Sequence, residues 1–125
     1  MGYTNYYYLN KAKAGQTFSP AFLKTVKRVI DNSPCQLVEA DNDDLTTSPE
    51  VGYTRIALNG ALENGHESCI LEIFNPEDNF YGARNFRFCK TANKPYDLIV
   101  KAILLLAVRA HYIDEWSADD HDLPE

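Results

Sequence analysis

The chain has few of the residues that build metal, redox or phosphate-loop sites. Its three cysteines and three histidines form no Cys-x-x-Cys pair and no ligand spacing, which excludes a zinc signature. An odd number of cysteines, each set in an apolar segment, is typical of buried thiols in a reducing compartment. The glycines are isolated turn residues, which excludes a glycine-rich phosphate loop. We therefore predict no metal and no cofactor.

Targeting and membrane signals are weak as well. Residues 1–6 have neither the basic nor the long apolar region of a signal peptide, so we expect no secretory leader. The most apolar run contains Lys101 and Arg109, which would be costly in a bilayer core. A formal net charge of −6 disfavours non-specific binding to duplex nucleic acid or anionic membranes. We expect a cytoplasmic protein.

Catalytic constellations are also sparse. His66-Glu67-Ser68 places a base, a carboxylate and a hydroxyl side by side, but neighbours on a strand point to opposite faces and do not converge. We predict that the protein is not an enzyme and has no catalytic residues. The alternative is an enzyme acting on a phosphorylated small molecule, with His66, Glu67 or Asp97 as acid or base.

The 125 residues suffice for one domain with a hydrophobic core. We predict an α+β fold with a mostly antiparallel sheet of about four to five strands and two main helices. Apolar, aromatic and β-branched runs between turn residues predict strands at Tyr3–Leu9, Gln36–Glu39, Tyr53–Leu58, Ser68–Phe74 and Asn85–Cys89. Turn signals between residues 59 and 65 predict that the third and fourth of these strands form a hairpin.

Two helices are marked by their starts. Ser19-Pro20 combines a capping side chain with a first-turn proline, and predicts a helix to about Asn32. Lys94-Pro95 predicts a second helix that begins at Pro95, ends near Tyr112 and is apolar enough to be largely buried or to lie at a subunit interface. We expect residues 1–113 to form the domain and residues 114–125 an acidic tail.

The segment Phe88–Asp97 joins a predicted strand to the second helix and is the most informative part of the chain. A helix start has unpaired N–H groups and partial positive charge, so Tyr96, Asp97 and Leu98 could present amides to an anion. Lys90 and Lys94 would add charge to this site. The alternative is that the Asp97 carboxylate itself satisfies the amides and the lysines are simply solvated.

The same segment, Phe-Cys-Lys-Thr-Ala-Asn-Lys-Pro-Tyr-Asp, resembles a motif in a family of small phage and prophage proteins. The opening Gly-Tyr-Thr-Asn-Tyr-Tyr of residues 2–7, the helix start at Ser19-Pro20 and the apolar last helix add to the resemblance, which covers most of the chain. Members of that family carry histidine, tryptophan and arginine where this chain has Asn5, Tyr7 and Asn93. The missing histidine counts against a mechanism that would use it as an acid or base.

Small phage proteins often disarm bacterial defence, and the resemblance implies a viral sponge that captures a cyclic dinucleotide or oligonucleotide messenger in the infected host cell. Such sponges tend to be homo-oligomers. Phosphates would meet cationic residues and helix amides, while bases would stack on tyrosines. The expected ligand contacts are Lys90, Lys94, Thr91, Asn93, Tyr96, Tyr3, Tyr6 and Arg87. A further alternative is an inhibitor whose acidic tail binds a basic protein.

Overall fold

The protein has the predicted α+β fold, with antiparallel strands in two sheets and two helices. The computed structural model describes residues 3–40, 44–78 and 84–119. The strands are β1 (Thr4–Leu9), β2 (Leu37–Val38), β3 (Glu50–Val51), β4 (Arg55–Gly60), β5 (Cys69–Glu72), β6 (Phe86–Lys90) and β7 (Ile113–Ala118). The helices are α1 (Pro20–Asp31) and α2 (Asp97–Arg109), with 3-10 turns at Lys11–Lys13 and Leu62–Asn64.

The strands divide between two sheets, where one sheet was predicted. In the first sheet β1 is central, and it pairs antiparallel with β6 on one side and β7 on the other. In the second sheet β4 pairs with β2, β3 and β5, also antiparallel. The predicted hairpin is confirmed as β4–β5. The two-residue strand β3 was not predicted, because so short a segment carries no readable alternation.

Helix α1 follows its sequence signals closely. Ser19 is the N-cap, and its hydroxyl accepts a hydrogen bond from the Phe22 amide at 3.1 Å. The helix buries Phe22, Leu23 and Val26, which recur at helical spacing. It packs against α2 in the core, so its polar residues are left on the outer side.

Helix α2 begins at Asp97, and the prediction that it begins at Pro95 was wrong. Two tight turns precede it: the Lys94 amide donates to the Thr91 carbonyl at 3.0 Å, and the Asp97 amide donates to the Lys94 carbonyl at 2.9 Å. In the first turn, Ala92 and Asn93 have φ of 52° and 56°, the left-handed pair of a type I′ turn. Pro95 belongs to the second turn, for which its fixed φ is equally suited.

The end of α2 also differs from the prediction. The helix stops at Arg109, where the Tyr112 amide donates to Ala107 and the His111 amide donates to Val108, at 2.9 and 3.1 Å. His111 has φ of 66°, so this is a Schellman-type termination without glycine. The turn redirects the chain into β7.

Strand β7 overturns the prediction of a tail from residue 114 onward. Ile113 is buried, Trp116 packs partly against the core, and the strand pairs with β1 through Ala118. The acidic residues Asp114 and Glu115 are exposed, and their charge hid the strand pattern in the sequence. The part of the predicted tail at 120–125 lies outside the described residues.

One hydrophobic cluster contains residues of both helices and both sheets. From α2 it takes Ile99, Val100, Ile103, Leu104 and Ala107. The opposite side of α2 leaves Leu98 and Leu105 exposed at 66% and 47%. Burial of α2 is therefore confined to one face. Neither of the helices in the described part of the chain is long and apolar enough to cross a membrane.

Candidate functional site

The inner face of the β6-β1-β7 sheet carries a buried polar network centred on Asp97. The side chain of Asp97 is on the first turn of α2, and the residue is 4% exposed. Its Oδ1 accepts from the Asn5 Nδ2 at 2.8 Å and from the Thr91 Oγ1 at 2.6 Å. Its Oδ2 accepts from the Lys101 Nζ, one turn further along the helix. Three donors on β1, on the turn after β6 and on α2 thus converge on one carboxylate.

Two further contacts extend this network to β7 and to the start of the described chain. The Trp116 Nε1 donates to the Asn5 Oδ1 at 3.0 Å. The Lys101 Nζ lies 4.1 Å from the centroid of the Tyr3 ring, a cation–π contact. Burial lowers the pKa of Lys101, but the hydrogen bonds and charge interactions with Asp97 and Tyr3 together more than offset it, so that the pKa is raised overall. Lys101 stays charged, and the network fastens the sheet to α2.

Two of the three amides that were expected to hold an anion at the start of α2 are already hydrogen-bonded within the fold. The Tyr96 amide donates to the Asn64 carbonyl at 3.2 Å, and the Asp97 amide donates to the Lys94 carbonyl at 2.9 Å. The alternative of an Asp97 carboxylate capping these amides is also wrong, because that carboxylate binds side chains. The Asn64 carbonyl and the turn that precedes α2 thus accept from two of the donors that a helix starting at Pro95 would have left free.

Several residues that were expected to contact a ligand are buried and bind other residues of the protein. Tyr96 is fully buried, its hydroxyl donates to the Glu67 carbonyl, and burial raises its pKa far above the ordinary value. Arg87 is 5% exposed and its Nε lies 3.2 Å from the Glu72 Oε2. These two side chains are therefore not accessible to a ligand in solution.

Thr91 and Tyr3 belong to the same buried class. Thr91 is fully buried with its hydroxyl on Asp97, and Tyr3 is buried beneath the Lys101 ammonium. Asn93 is exposed and Lys94 is half-buried, both on the turn between β6 and α2. We exclude the buried residues from the ligand contacts and keep the turn residues as predictions.

Lys90 and Tyr6 come together on the outer face of the sheet. The strand register places Tyr6 between Phe88 of β6 and Ser117 of β7. It places Tyr8 between Phe86 and Glu115, and it pairs Thr4 with Lys90. Because side chains alternate along a strand, the outward positions form one surface. We call it the aromatic face: Tyr6, Tyr8, Phe86, Phe88 and Lys90.

The rings of the aromatic face form a nearly continuous row. The centroids of Tyr6 and Phe86 are 6.2 Å apart with an interplanar angle of 21°. Those of Tyr8 and Phe86 are 5.2 Å apart, and those of Phe86 and Phe88 are 6.2 Å apart. Phe88 is 49% exposed, Tyr8 39% and Phe86 38%. Such exposure is notable because large aromatic side chains are usually buried in the core. A contiguous exposed aromatic surface of this kind is typical of a binding site.

Charges around the aromatic face are mixed. The Lys90 Nζ is 5.8 Å from the centroid of Phe88, and Lys90 is exposed. On the other side, the Tyr6 hydroxyl donates to the Asp119 Oδ1 at 2.8 Å, which raises the pKa of Tyr6. Glu115 is exposed at the β7 edge. The face thus offers flat apolar surface flanked by charges of both signs rather than a cationic channel.

No family model, curated protein or solved structure matches the chain. The likeness to phage proteins therefore rests on the motifs alone.

Tyr6 and Lys90 were predicted from the sequence as ligand contacts, but the other residues of the aromatic face were not. The signal was the period of two in Phe86-x-Phe88-x-Lys90 and Tyr6-x-Tyr8, with Arg87, Cys89 and Tyr7 as the buried alternates. All of these residue types are common in strand cores, so the apolar runs by themselves did not show which alternate faced outward.

The residues proposed for an enzyme lie in different environments. Asp97 is buried with both oxygens hydrogen-bonded, whereas His66 is exposed on the loop before β5. Glu67 accepts the Lys90 amide at 2.9 Å through its Oε1. Within residues 3–40, 44–78 and 84–119, no three His, Cys, Asp or Glu side chains gather as metal ligands.

Proposed function

We propose that this protein binds a small nucleotide messenger with two or more bases, a cyclic dinucleotide or oligonucleotide, on the aromatic face and holds it without turnover. The observation that carries the proposal is the row of exposed rings on one sheet face, with Lys90 at its end. Base stacking on such rings contributes roughly 1–3 kcal/mol per base.

The charge distribution favours a ligand with few phosphates. Lys90 supplies a cation beside the Phe88 ring, whereas Glu115 and Asp119, which are exposed on the β7 side of the sheet, are negative. Long single strands are bound by aromatic platforms that also have a positive groove along the backbone. A chain of net charge −6 that has acidic as well as basic residues beside the aromatic face lacks that attraction, so a compact ligand is the better match.

The biological part of the proposal rests on the resemblance to phage proteins. A protein that retains a nucleotide messenger without cleaving it lowers the free concentration that a bacterial defence effector senses. The predicted homo-oligomer belongs to the same proposal, and the exposed Leu98 and Leu105 of α2 are the surface that a second copy would cover.

Ligand capture and release test the binding directly. The purified protein is incubated with a panel of cyclic dinucleotides and cyclic oligonucleotides, desalted, heated to release what it holds, and analysed by chromatography. We expect at least one compound to be recovered intact. Recovery of none contradicts the proposal, and recovery of cleaved product supports the enzyme alternative instead. Native mass spectrometry of the same sample gives the number of chains and of ligands.

Variants then locate the site. Phe88→Ala should weaken binding of the retained compound by about 1–3 kcal/mol through lost stacking. Lys90→Ala should weaken it by about 1 kcal/mol, because an exposed lysine is well solvated. The matched control is Arg28→Ala, an exposed cation on α1 that lies outside the aromatic face. Isothermal titration calorimetry measures all three.

Lys94→Ala defines how far the site extends. Sequence reasoning included Lys94, but the residue lies on the turn beyond β6. A loss equal to that of Lys90→Ala extends the ligand contacts onto the turn, and unchanged affinity confines them to the aromatic face. Unchanged affinity in both Phe88→Ala and Lys90→Ala would show that the ligand binds elsewhere.

A further inference from the structure

A second surface feature lies away from the aromatic face, between α1 and the loop that joins β3 to β4. It is an open groove of about 390 Å³, lined by Pro20, Leu23, Lys24, Lys27, Val51 and Tyr53. None of these residues belongs to the aromatic face or to the Asp97 network. The groove is thus independent of the function proposed above.

The walls of the groove are set by contacts within the fold. The Phe18 amide donates to the Tyr53 carbonyl at 2.7 Å, which holds the β3–β4 loop beside the start of α1. The loop is closed by the Gly52 amide, which donates to the Arg55 carbonyl at 2.8 Å. The backbone is fixed in this way while the Tyr53 ring is left 72% exposed. An ordered loop that presents a bare aromatic ring is a preformed wall for a ligand.

The groove combines an apolar floor with a cationic rim. Leu23 is buried and Val51 is half-buried beneath it. Lys24 and Lys27 are exposed, stand three positions apart on α1, and take no part in the ion pairs found among the described residues. Glu50 of β3 is instead paired with Arg55 at 3.6 Å. Two lysines that have no ion pair within the described part of the chain complement an anion.

We infer that this groove is a binding site for a small aromatic anion, an aryl phosphate or an aryl carboxylate. The ring of the ligand would lie against Tyr53 and the floor of Leu23 and Val51, and its charged group would meet Lys24 and Lys27. Sites for small molecules usually measure roughly 300–1,000 Å³, so this groove accommodates a compact ligand. Both halves of the ligand are required, because neither an exposed lysine pair nor a single ring binds strongly alone.

An amide NMR titration tests the site with defined probes. Phenyl phosphate and phenylacetate are the two aryl anions, and inorganic phosphate and phenol are the separate halves. We expect shifts at Leu23, Val51 and Tyr53, and an affinity for at least one aryl anion roughly tenfold above that for either half. The stronger of the two anions identifies the charged group. Absence of binding by both, or shifts confined to Phe86 and Phe88, overturns the inference.

Substitutions complete the test. Tyr53→Ala and Lys27→Gln should each lower the affinity for the preferred aryl anion by roughly fivefold. Lys94→Gln removes the same charge outside the groove and should leave it unchanged. Phe88→Ala should also leave it unchanged, so this site and the nucleotide site can fail separately. Equal affinity in Tyr53→Ala, Lys27→Gln and the parent protein overturns the inference, and circular dichroism confirms that each variant is folded.

Discussion

The two faces of the β6-β1-β7 sheet use neighbouring residues for opposite purposes. On the inner face, Asn5 and Trp116 join a hydrogen-bonded network around Asp97, from which water is largely excluded. On the outer face, Tyr6 and Phe88 present rings to solvent. The inner positions hydrogen-bond to one another, whereas the outer rings contact their neighbours and solvent. Ligand binding is therefore best sought on the outer face, where the side chains remain accessible.

The segment Phe88–Asp97, which is the most distinctive motif of the sequence, is largely separate from the aromatic face. The most distinctive segment of the chain contributes Thr91, Tyr96 and Asp97 to the interior. Only Phe88 and Lys90 from that segment lie on the aromatic face. A distinctive run of polar residues can thus belong to a buried connection between a strand and a helix rather than to a ligand-binding site.

Removing the centre of the inner network should have the largest effect. Asp97→Ala leaves the fully buried Asn5 amide and Thr91 hydroxyl without their acceptor, at a cost of about 1–3 kcal/mol each. Lys101 is partly exposed and can turn to water, so its contribution is smaller. We expect a loss of about 3 kcal/mol in the free energy of unfolding, measured by urea denaturation.

The matched control for this substitution is Asp114→Ala, because Asp114 is exposed on the neighbouring strand β7. That variant should stay within about 0.5 kcal/mol of the parent. Equal losses in the two variants would mean that the buried network does not stabilise the fold.

Alkaline pH should weaken the inner face next. Burial raises the pKa of Tyr7 above its ordinary value of 10.0. Burial lowers the pKa of Lys101, but the interactions with Asp97 and Tyr3 together raise it above 10.5. Folding therefore favours the protonated forms, whose stabilising contribution is complete below the unfolded pKa values. As the pH rises above them, the unfolded chain releases protons first and stability falls.

Urea midpoints at roughly pH 8 and pH 11 measure this change. We expect a lower midpoint at the higher pH and a smaller drop in Tyr7→Phe, which has no phenol to ionise at that position. Identical midpoints at both values would contradict the assignment of buried protonated groups.

The smallest effect on stability is expected from the outer face. Phe88→Ala removes a ring that is 49% exposed and should change the free energy of unfolding by less than about 1 kcal/mol. Cys89→Ala, next to it but fully buried, is the matched inner-face change and should cost more. Thermal unfolding of the two variants compares the faces directly. A larger loss in Phe88→Ala would show that the aromatic face is covered in the folded protein.

Elements with strong local signals could be predicted from sequence. Ser19-Pro20 fixed the start of α1 because capping and proline geometry act within one turn. The β4–β5 hairpin followed from turn residues between two apolar runs. The fold class was accessible for the same reason, since it depends on the types of the elements and not on their exact ends.

Features that depend on distant partners could not be predicted. Strand β7 is acidic at exposed positions, and its pairing with β1 is invisible locally. The late start of α2 depends on left-handed conformations at Ala92 and Asn93, although alanine seldom adopts them. The burial of Arg87 required its partner Glu72, which lies 15 positions away. Sequence pattern thus indicated which residue types could bind a ligand, and tertiary pairing decided which of them remained accessible.

Strand β1 lies at the centre of its sheet, although both of its partner strands, β6 and β7, come much later in the chain. Asn5 and Trp116, which meet in the sheet, are separated by 111 positions. During synthesis, β1 leaves the ribosome long before β6 and β7. Until those strands are made, β1 has no partner strand and its apolar side chains are exposed to solvent. Contacts that span nearly the whole chain slow folding, because loop closure precedes any gain from pairing. We therefore expect the β4–β5 hairpin to form early and the β6-β1-β7 sheet to form last, in the final cooperative step.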